Sequence, residues 1–446
     1  MSRPNAQPII NIAIIGGGYS GMAAAVRIVE LGGRPTVFEA GRVLGGRARR
    51  IQYQGHTLDN GQHILSGAYR ELLRLMDVVG VSARSWERIP LNFEMPPAFA
   101  LRAPLLPAPL HMAYALLSAK GLGWRDRLCA VQLMSSLKRA LFLVEPGLTV
   151  KALLAAHRQS SAVTKYLWQP LTISALNTPI ADASAQVFVN VLRDALLGAR
   201  EASDLLLPKV DLSALFPEPA SRWLADRGAA THLGTTVTGL VTSEDDVRVD
   251  ADGRKWSFDA AILAVAPHQR QSLFADGATK QLAAMQYEPI VTIYLGFETN
   301  QRLPSPMLGQ TEGIVQWFFD RRQLSAAPDT GELVIAAVIS ASGPHEALSQ
   351  DELVKLVLAE LDRHIPRLPA PRWQKVVQEK FATFACTPHA PRLAAATSHR
   401  RLYLAGDDII NPERLYPATL EGAVRNGIAA AEAAVNAVQT TPQISR

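Results

Sequence analysis

A glycine-rich segment near the start of the chain has the spacing of a dinucleotide-binding turn. Gly16, Gly18 and Gly21 form a Gly-x-Gly-x-x-Gly motif, in which the first glycine permits a tight turn and the second lets a pyrophosphate approach the backbone. The third glycine lets a helix pack closely against the preceding strand. Tyr19 and Ser20 lie inside the motif, at the start of a helix whose free N–H groups would bind phosphate. We therefore expect the whole motif to bind the pyrophosphate of a dinucleotide.

The segments around this motif are those of a βαβ unit. An isoleucine-rich run from Ile9 to Ile15 predicts a buried parallel strand, and the helical pattern that follows ends at Gly32-Gly33. A second strand, residues 36–38, then brings Glu39 to its end. The carboxylate of Glu39 can accept hydrogen bonds from ribose hydroxyls, and its charge would repel a 2′-phosphate. Strand, glycines, helix, strand and acid in this order predict a dinucleotide site far more specifically than the glycines alone.

A second glycine turn follows this unit and indicates which dinucleotide is bound. Gly45, Gly46 and Arg47 come soon after Glu39-Ala40. This pattern resembles that of the amine oxidase and phytoene desaturase superfamily of flavoproteins, and the resemblance implies FAD bound by these five residues. In that superfamily the Gly-Gly-Arg turn contacts the pyrophosphate, whose charge Arg47 would neutralise through bidentate hydrogen bonds. The alternative for Arg47 is a solvated surface charge.

The C-terminal part of the chain carries two further segments of such a site. A strand pattern ends at Gly406-Asp407, and a helical pattern begins at Thr419-Leu420, which Thr419 can cap, and includes Gly422. The superfamily resemblance assigns Asp407 to the ribitol chain of FAD and the helix N-terminus to the pyrimidine edge of the flavin. Electrostatics agrees, because a helix N-terminus stabilises an anionic reduced flavin and would raise its reduction potential. Without the N-terminal motif, the helix could be ordinary core packing.

Two segments between these ends complete the predicted fold. Residues 235–240 and 259–267 predict strands of the same sheet as the βαβ unit, and the resemblance places the backbone of Val237 against the adenine ring. We therefore predict an α/β protein with a Rossmann-type, glutathione-reductase-like and discontinuous FAD-binding domain, a helical cap and a mixed-sheet substrate domain. The predicted FAD domain comprises residues 8–79, 205–265 and 398–438, and the substrate and cap domain comprises 80–204 and 266–397.

A motif after the second glycine turn indicates a narrower group. Residues 58–63, Leu-Asp-Asn-Gly-Gln-His, and the ending from 416 to 425 resemble the hydroxysqualene dehydroxylase family. These are squalene-associated FAD enzymes of bacterial hopanoid synthesis. The resemblance places Gly61, Gln62 and His63 beside the flavin ring of FAD.

The reaction that this resemblance implies is the reductive removal of an allylic hydroxyl group from hydroxysqualene, a C30 isoprenoid, to give squalene. We expect the protonated hydroxyl to leave as water, and the resulting allylic cation to take a hydride from N5 of reduced FAD. The sequence does not identify the reductant of the flavin. His63 is the candidate catalytic proton donor, because imidazole transfers protons near neutrality. A purely structural hydrogen bond from His63 to the cofactor is an equally open alternative.

Other reactions of the superfamily stay open. An oxidative carotenoid-type, phytoene-like desaturase would share the fold and an apolar substrate. An amine oxidase is disfavoured, because Thr419 stands where that family has an aromatic residue and because residues 288–297 lack its lysine. A non-redox isoprenoid isomerase with a structural flavin is the last alternative. The chain also departs from the family pattern at Asp408, where an aromatic residue is expected after the first acid.

Composition limits the partners and the compartment. The 446 residues carry a net charge of +5 and a pI near 9.2, which favours anionic partners. No basic run with interleaved aromatics is present, so we do not expect nucleic acid as a partner. Two isolated cysteines, Cys129 and Cys386, suit a reducing cytoplasm. A buried free thiol is a simpler interpretation of Cys386 than covalent attachment of FAD.

Residues 93–144 predict a surface that meets lipid. They are rich in Leu, Ala, Met, Pro and aromatic residues. Basic residues interspersed among them include Lys120, Arg125, Arg127, Lys138 and Arg139. A C30 substrate must be taken from a bilayer, so an apolar lip with a basic rim would contact an anionic membrane peripherally, although core packing explains the same composition. Without a secretory signal or an apolar stretch of roughly 20 residues, we expect a cytoplasmic protein, either free or peripheral on the inner membrane.

Overall fold

A computed structural model describes residues 9–196, 198–273, 285–324, 331–411 and 413–440. The strands, in chain order, are β1 Asn11–Ile15, β2 Arg34–Glu39, β3 Arg50–Tyr53, β4 His56–Asp59, β5 Leu65–Ser66, β6 Trp86–Ile89, β7 Asn92–Met95, β8 Phe99–Arg102, β9 Leu205–Pro208, β10 Ala230–Leu233, β11 Val237–Thr242, β12 Val247–Ala251, β13 Arg254–Phe258, β14 Ala260–Leu263, β15 Tyr287–Glu298, β16 Met307–Gly309, β17 Trp317–Asp320, β18 Glu332–Ser340, β19 Trp373–Phe384 and β20 Leu402–Leu404. The helices are α1 Tyr19–Glu30, α2 Arg70–Val78, α3 Leu110–Ser118, α4 Trp124–Arg139, α5 Val150–Ala156, α6 Ser161–Val163, α7 Gln169–Leu176, α8 Ala185–Leu196, α9 Leu212–Leu215, α10 Pro217–Ala225, α11 Pro267–Leu273, α12 Arg321–Leu324, α13 Gln350–Leu361 and α14 Leu420–Gln439.

A five-stranded parallel sheet forms the centre of the dinucleotide-binding part. Its strand order is β10-β2-β1-β14-β20, with β1 in the middle. The side chains of β1 are buried on both faces of the sheet, since Ile12 and Ile14 belong to one apolar core and Ile15 to another. Burial on both faces is the reason why a β-branched run without polar alternation forms a parallel strand here. The predicted Rossmann-type sheet is confirmed, and β14 lies within the strand predicted at 259–267.

The first and last helices of the chain pack against each other on one face of this sheet. Side chains of α1 and α14 share an apolar core with β1 and β14. The two helices approach closely at Gly427, where a Cβ would overlap the backbone carbonyl of Ser20. The helix α14 begins at Leu420 and buries Val424, Ala431 and Val435, at the helical spacing that the sequence predicts. Opposite ends of the chain therefore form one layer.

One predicted strand of the parallel sheet is wrong. The sequence predicts that residues 235–240 belong to this sheet, but β10 occupies its edge, with Leu233 opposite Glu39. Val237 instead begins β11, in a separate antiparallel sheet of order β11-β12-β13. The chain leaves β10 through Gly234, whose φ of +65° ends the strand and redirects the backbone. The sequence therefore predicts a strand here correctly, but it assigns that strand to the wrong sheet.

A five-stranded antiparallel sheet carries the other side of the site. Its order is β16-β17-β18-β15-β19, and every pairing in it is antiparallel, whereas the sequence predicts a mixed sheet. Val291 and Ile293 of β15 face α13, where they pack with Val357. Because side chains alternate along a strand, Thr292 and Tyr294 face the opposite way, and the Tyr294 hydroxyl reaches the end of β4. This face of β15 is the one that borders the site.

The cap begins with strands before it becomes helical. Strand β6 pairs with β9, β7 and β8 form a hairpin, and α3 to α8 follow. Phe93 of the hairpin packs edge-on against Trp317 of β17, with ring centroids 5.1 Å apart, so the cap rests on the antiparallel sheet. Apolar residues of the cap and of both sheets join in one core. Within the described ranges, no helix has both the length and the apolarity needed to span a bilayer.

Candidate active site

The glycine-rich turn between β1 and α1 is closed by protein on one side and open on the other. A Cβ at Gly16 would lie 2.6 Å from the carbonyl oxygen of Ala264, and one at Gly21 would overlap the carbonyl oxygen of Gly16. At Gly18 the nearest protein atom would be the Cα of Gly46, at 3.7 Å. Gly16 and Gly21 are thus required by the packing of the protein itself. Gly18 borders free space, which fits the approach of a pyrophosphate.

The N-terminus of α1 is available to an anion. Among the residues that the structure describes, no side chain caps this helix at Gly18, and its first turn holds no acidic residue. Unpaired N–H groups and the positive end of the helix favour a phosphate there. The predicted binding residues Tyr19 and Ser20 turn their side chains away: the Tyr19 hydroxyl donates to the carbonyl of Leu212 at 2.8 Å, and Ser20 lies against Gly427. Only their backbone groups can serve a pyrophosphate.

Glu39 lies between the two glycine turns and is hydrogen-bonded to the first. Its carboxylate accepts the N–H groups of Gly17 and Gly41, each at 2.7 Å. The N–H of Gly45 in turn donates to the carbonyl of Gly17 at 3.0 Å. Each carboxylate oxygen keeps a further lone pair that a ribose hydroxyl can use, so the geometry fits the predicted ribose contact. Ala40 follows Glu39 at an exposed position.

The predicted adenine contact lies close to this acid along the chain. The N–H of Thr235 donates to the backbone carbonyl of Glu39 at 2.9 Å. Two residues later, Val237 is buried opposite Ala251, at an irregular register that shifts before Gly239. Although β11 belongs to another sheet than predicted, its start is therefore held beside the end of β2, where the adenosine half of FAD is expected.

Arg47 joins the N-terminal turn to the C-terminal acid. Its guanidinium donates to Oδ1 of Asp407 at 2.6 Å and to the carbonyl of Ala382 at 2.9 Å. Burial lowers the pKa of Arg47, but the carboxylate of Asp407 and the acids near it together raise it. Arg47 is therefore an ion-paired residue of the site and not a solvated surface charge. Two predicted cofactor residues, far apart in the chain, are brought into contact.

Asp408, where the family pattern has an aromatic residue, forms a buried ion pair with Arg270. Arg270 of α11 is fully buried and donates from Nη2 to Oδ1 of Asp408 and to the carbonyl of Ala405, both at 2.9 Å. A buried ion pair, which needs such additional hydrogen bonds to be tolerated, stands where an aromatic side chain is expected. No local pattern predicts the pair, because its two members are 138 residues apart.

The N-terminus of α14 is capped by Thr419, as the sequence predicts, but the acidic residue in its first turn, Glu421, hydrogen-bonds to the start of α2. The Thr419 hydroxyl accepts the N–H of Gly422 at 3.2 Å. The buried carboxylate of Glu421 turns back and accepts the N–H groups of Glu71 and Leu72 at the start of α2, at 3.1 and 3.0 Å. Its negative charge is therefore directed to α2, where the helix dipole favours it. The start of α14 stays suited to an anionic ring.

His63 lies at the end of the 58–63 motif with a defined tautomer. Its Nδ1 is 2.7 Å from the carbonyl oxygen of Gly61. Since a carbonyl only accepts, Nδ1 carries the hydrogen and Nε2 is the acceptor of the neutral ring. Burial lowers the pKa of His63, and Arg47 lowers it too, while the Gly61 carbonyl and Asp59 act in the opposite direction. The ring is thus neutral near pH 7, and a proton donor would be the protonated form acting through Nε2.

Sequence reasoning missed a polar cluster next to His63. Arg321 donates to Oε1 of Gln62 at 2.7 Å and lies 3.4 Å from Oδ2 of Asp59. The Tyr294 hydroxyl donates to the backbone carbonyl of Asp59 at 2.9 Å. Burial raises the pKa of Asp59, whereas Arg321 lowers it. The cluster fastens the 58–63 motif to the antiparallel sheet; Asp59 was detectable as part of the motif, but Arg321 and Tyr294 carry no local signal.

Thr292 is a second residue that the sequence does not single out. It is almost fully buried on β15, and its hydroxyl has no hydrogen-bond partner among the described residues. A Cβ at Gly61 would lie 3.9 Å from this hydroxyl and 3.7 Å from Cε1 of His63. Both distances are ordinary van der Waals contacts, so position 61 borders the space between β15 and the His63 ring.

Comparison with known proteins gives this geometry a family context. A family model described as flavin-containing amine oxidoreductase matches residues 19–435. The hydroxysqualene dehydroxylase of Rhodopseudomonas palustris is 30% identical over 441 residues, covering 94% of this chain and 97% of that protein. A 15-cis-phytoene desaturase of Capsicum annuum is 22% identical over 97% of this chain and 79% of its own length. Among solved structures, an oxidoreductase of Methanosarcina mazei has a TM-score of 0.72 at 16% identity, over 95% of this chain and 100% of that one.

These similarities agree with the chemistry of the site. The open space at Gly18 and the uncapped N-terminus of α1 fit the pyrophosphate of a flavin dinucleotide. FAD is the cofactor, as predicted, and the chain is an FAD-dependent oxidoreductase. The predicted resemblance to hydroxysqualene dehydroxylases is confirmed. The solved structure, at its low identity, supports the fold alone, and the roles of single residues stay predictions.

Proposed function

The chain belongs to the flavin-containing amine oxidoreductase family, and on this premise we propose that it removes the allylic hydroxyl group of hydroxysqualene reductively, giving squalene. The observation that carries this proposal is the similarity to hydroxysqualene dehydroxylase over nearly the whole of both chains. A flavin-dependent isoprenoid oxidoreductase is the broader class, which the phytoene desaturase similarity also supports.

The proposed reaction exchanges a C–O bond for a C–H bond. The substrate hydroxyl takes a proton and leaves as water, and the allylic carbon takes a hydride in its place. Reduced FAD, when bound, supplies this hydride. Two electrons must therefore come from an external reductant for each turnover.

The residues of the chain would hold the cofactor from both ends. The backbone around Gly18 and Gly46, with the N-terminus of α1, would bind the pyrophosphate. Glu39 would accept the ribose hydroxyls. Asp407, fixed by Arg47 at 2.6 Å, would bind the ribitol chain, and the N-terminus of α14 would face the pyrimidine edge.

His63 would deliver the proton in this proposal. The Gly61 carbonyl holds Nδ1–H in both protonation states, so Nε2 is the position that gains and loses the proton. Because burial lowers the pKa of His63, its protonated form is a stronger acid than an ordinary imidazolium and protonates a weakly basic hydroxyl more readily. In the alternative, the ring only hydrogen-bonds the cofactor and the proton comes from elsewhere.

Turnover with defined substrates tests the proposed function. Purified protein loaded with FAD is reduced anaerobically with dithionite and incubated with hydroxysqualene, and the extracted lipids are analysed by gas chromatography and mass spectrometry. We expect squalene in amounts that match the flavin oxidised. Flavin that stays reduced, with hydroxysqualene unchanged, would contradict the proposal.

A carotenoid-type desaturase is the second candidate, favoured by the similarity to 15-cis-phytoene desaturase. It runs in the oxidative direction, so oxidised protein would be incubated with phytoene and an electron acceptor, and conjugated products would be followed by absorbance. An amine oxidase reaction has less support, because the position of Thr419 lacks an aromatic side chain and residues 288–297 lack a lysine. A non-redox isomerase would convert an isoprenoid with the flavin in either redox state.

Contact with a membrane belongs to the same proposal. A C30 hydrocarbon chain with one hydroxyl group resides in a bilayer, and moving it through water costs about 0.8 kcal/mol for every CH₂ exposed. We therefore propose a protein that acts at the cytoplasmic side of the inner membrane, in peripheral contact with anionic lipid. No nucleic acid enters this proposal.

A further inference from the structure

We propose that the outer faces of α3 and α4 form a docking surface for an anionic lipid bilayer. The surface is defined by Leu110, Tyr114 and Leu117 of α3 and by Trp124, Leu128 and Val131 of α4. These six large side chains are between 45% and 66% exposed, and no part of the chain that the structure describes covers them. Its purpose, the transfer of an isoprenoid, rests on the proposed function, whereas its binding to lipid is independent of the substrate.

Helix α3 exposes three large apolar side chains, whereas its Met112 and Leu116 are partly buried against the core. Leu110, Tyr114 and Leu117 recur at spacings of four and three, so they lie on one face, and this is the exposed face. The buried face carries His111 and Ala115. Large apolar side chains that stay in contact with water contribute no hydrophobic stabilisation. Their exposure therefore indicates that this face binds an apolar partner.

Helix α4 repeats the arrangement and is fixed to α3. Its exposed residues Trp124, Leu128 and Val131 follow the same spacing, while Leu133 and Leu137 are buried on the other side. The connection is rigid, because the guanidinium of Arg127, which precedes Leu128, donates to two backbone carbonyls at the end of α3 and just beyond it. The two apolar faces therefore form one preformed surface.

The loops on either side of the two helices extend this surface. Leu105 and Leu106 precede α3, and Leu141 and Leu143 follow α4; all four are exposed. Ten of the exposed large hydrophobic residues thus fall between positions 105 and 143, and the other seven are spread over the remaining described residues. Such a concentration in one segment is typical of an interaction site and not of scattered surface residues.

The charges in this segment identify the partner as anionic lipid. Between residues 103 and 144 the sequence has five basic residues and one acid, Asp126, whose carboxylate is engaged by the N–H of Gly123 at 2.8 Å. The guanidinium of Arg125 lies 5.4 Å from the ring centre of Trp124, a cation–π pair with an apolar body and a charged edge. Apolar side chains flanked by basic ones match the boundary between acyl chains and anionic headgroups.

The dimensions of the helices favour an orientation along the membrane surface. Helix α3 has 9 residues and α4 has 16, both shorter than the roughly 20 residues that a membrane span needs. Helices of this kind lie in the plane of the interface with one face in the acyl boundary. Because α3 and α4 belong to the cap, lipid docked there lies directly against the predicted substrate domain.

Vesicle binding tests the apolar part of the surface. The FAD-loaded full-length protein is sedimented with two kinds of vesicle. One is pure phosphatidylcholine, and the other is phosphatidylcholine with about 30% of the anionic lipid phosphatidylglycerol. A Leu110→Ser/Leu128→Ser variant is compared with a Val241→Ser/Leu356→Ser control, whose residues are 59% and 41% exposed elsewhere. We expect the first variant to bind anionic vesicles at least about tenfold more weakly, because each leucine withdrawn from lipid loses apolar burial, and the control to bind like the unaltered protein.

Neutralising charge tests the choice of lipid. A Lys138→Gln/Arg139→Gln variant should lose about fivefold in binding to anionic vesicles for each charge removed and should change little with neutral ones. Circular dichroism and flavin content establish that each variant is folded. Equal vesicle binding by the Leu110→Ser/Leu128→Ser variant and the control, or no binding by the unaltered protein, would overturn the proposal.

Two further measurements separate this inference from its alternatives. Light scattering coupled to gel filtration measures the oligomeric state of each variant. A dimer of the unaltered protein that only the Leu110→Ser/Leu128→Ser variant loses would overturn lipid docking, because the surface would then lie between two copies of the chain. Squalene formation from detergent-dispersed hydroxysqualene should survive in that variant. If the unaltered protein bound anionic vesicles but formed no squalene, the docking surface would stand and the proposed function would fail.

Discussion

The two ends of the predicted flavin site are built in different ways. The pyrophosphate end consists of backbone: Gly16 and Gly21 close one side by their lack of a Cβ, and Gly18 leaves the other side open. Towards the predicted ring end, charged side chains are joined across the fold: Arg47, which is also predicted to contact the pyrophosphate, pairs with Asp407, and Arg321 pairs with Asp59. A backbone cradle is encoded within a few residues, whereas an ion pair needs two distant segments. We therefore expect the first end to fail through steric overlap and the second through unpaired charge.

The largest expected effect is a difference in stability between two glycine variants of the predicted pyrophosphate end, Gly21→Ala and Gly18→Ala. Gly21→Ala places a Cβ onto the carbonyl oxygen of Gly16, so we expect a loss of about 4 kcal/mol in the free energy of unfolding and little bound flavin. Gly18→Ala meets no protein atom closer than 3.7 Å, so the apoprotein should keep its stability and lose affinity for FAD. Urea unfolding of both apoproteins and titration with FAD measure the two quantities. Equal destabilisation by the two variants would contradict the distinction.

Removing one partner of the buried ion pair should have the next largest effect. Arg270→Met leaves the Asp408 carboxylate buried without its cation, which we expect to cost about 3–5 kcal/mol of unfolding free energy. The double variant Arg270→Met/Asp408→Leu removes both charges and should recover most of that stability. Urea unfolding of the two variants decides the point. A double variant as unstable as the single one would show that the pair acts through its shape and not its charge.

His63 tests the chemistry of the ring end. We expect His63→Ala to lower kcat/KM for hydroxysqualene about a hundredfold with FAD retained, the lower range for a general acid. A donor acts in its protonated form, so activity should be high below the pKa of His63 and fall as the pH rises through it. Since burial lowers that pKa, the fall should lie below the ordinary value of about 6.5. An activity unaffected by the variant at every pH would leave His63 a structural role only.

Asp407 should give a smaller effect on cofactor binding. Asp407→Asn keeps the shape of the side chain but leaves Arg47 without the carboxylate at 2.6 Å. We expect FAD to bind about tenfold more weakly, since a hydrogen bond to a charged group contributes about 1.5–3 kcal/mol and part of it is retained. Fluorescence quenching of FAD on titration measures the change. The exposed acid Glu145, changed to Gln, is the control and should leave affinity unaltered.

Cys386 should give almost no effect. The thiol is fully buried, and burial raises its pKa to about 11, so it is protonated and unreactive near neutrality. Because Cys129 is a second free thiol and is only partly buried, the test uses a Cys129→Ser variant. We expect no reaction of this folded variant with Ellman's reagent, and release of free FAD on denaturation. Flavin that stays attached to the unfolded chain would show that this interpretation of Cys386 is wrong.

The contrast between the two ends also explains what could be read from the sequence. The strand, glycines, helix and acid between Ile9 and Glu39 are local features with local causes, so they predicted the parallel sheet and the cofactor correctly. The capping of α14 by Thr419 was predictable for the same reason. Tyr19 and Ser20 show the limit of a motif, since its spacing does not say which way the side chains point.

Long-range partners were beyond such reasoning. The strand that starts at Val237 was assigned to the wrong sheet, because the pattern of a strand does not identify its neighbour. Arg270 and Arg321 each pair with an acid far away in the chain, and single basic residues of that kind have no spacing to recognise. The exposed faces of α3 and α4 were visible only as apolar composition, which core packing explained equally well until the structure showed their exposure.

The contact between α1 and α14, where Gly427 meets Ser20, has a consequence for biosynthesis. A ribosome makes the chain from its first residue, so the glycine turn emerges long before the helix that completes its layer. Until α14 has been synthesised, the sheet lacks one of its covering helices, because side chains of α1 and α14 share one apolar core with β1 and β14. We therefore expect a chain truncated before α14 to expose the apolar side of α1 to water and to bind flavin poorly.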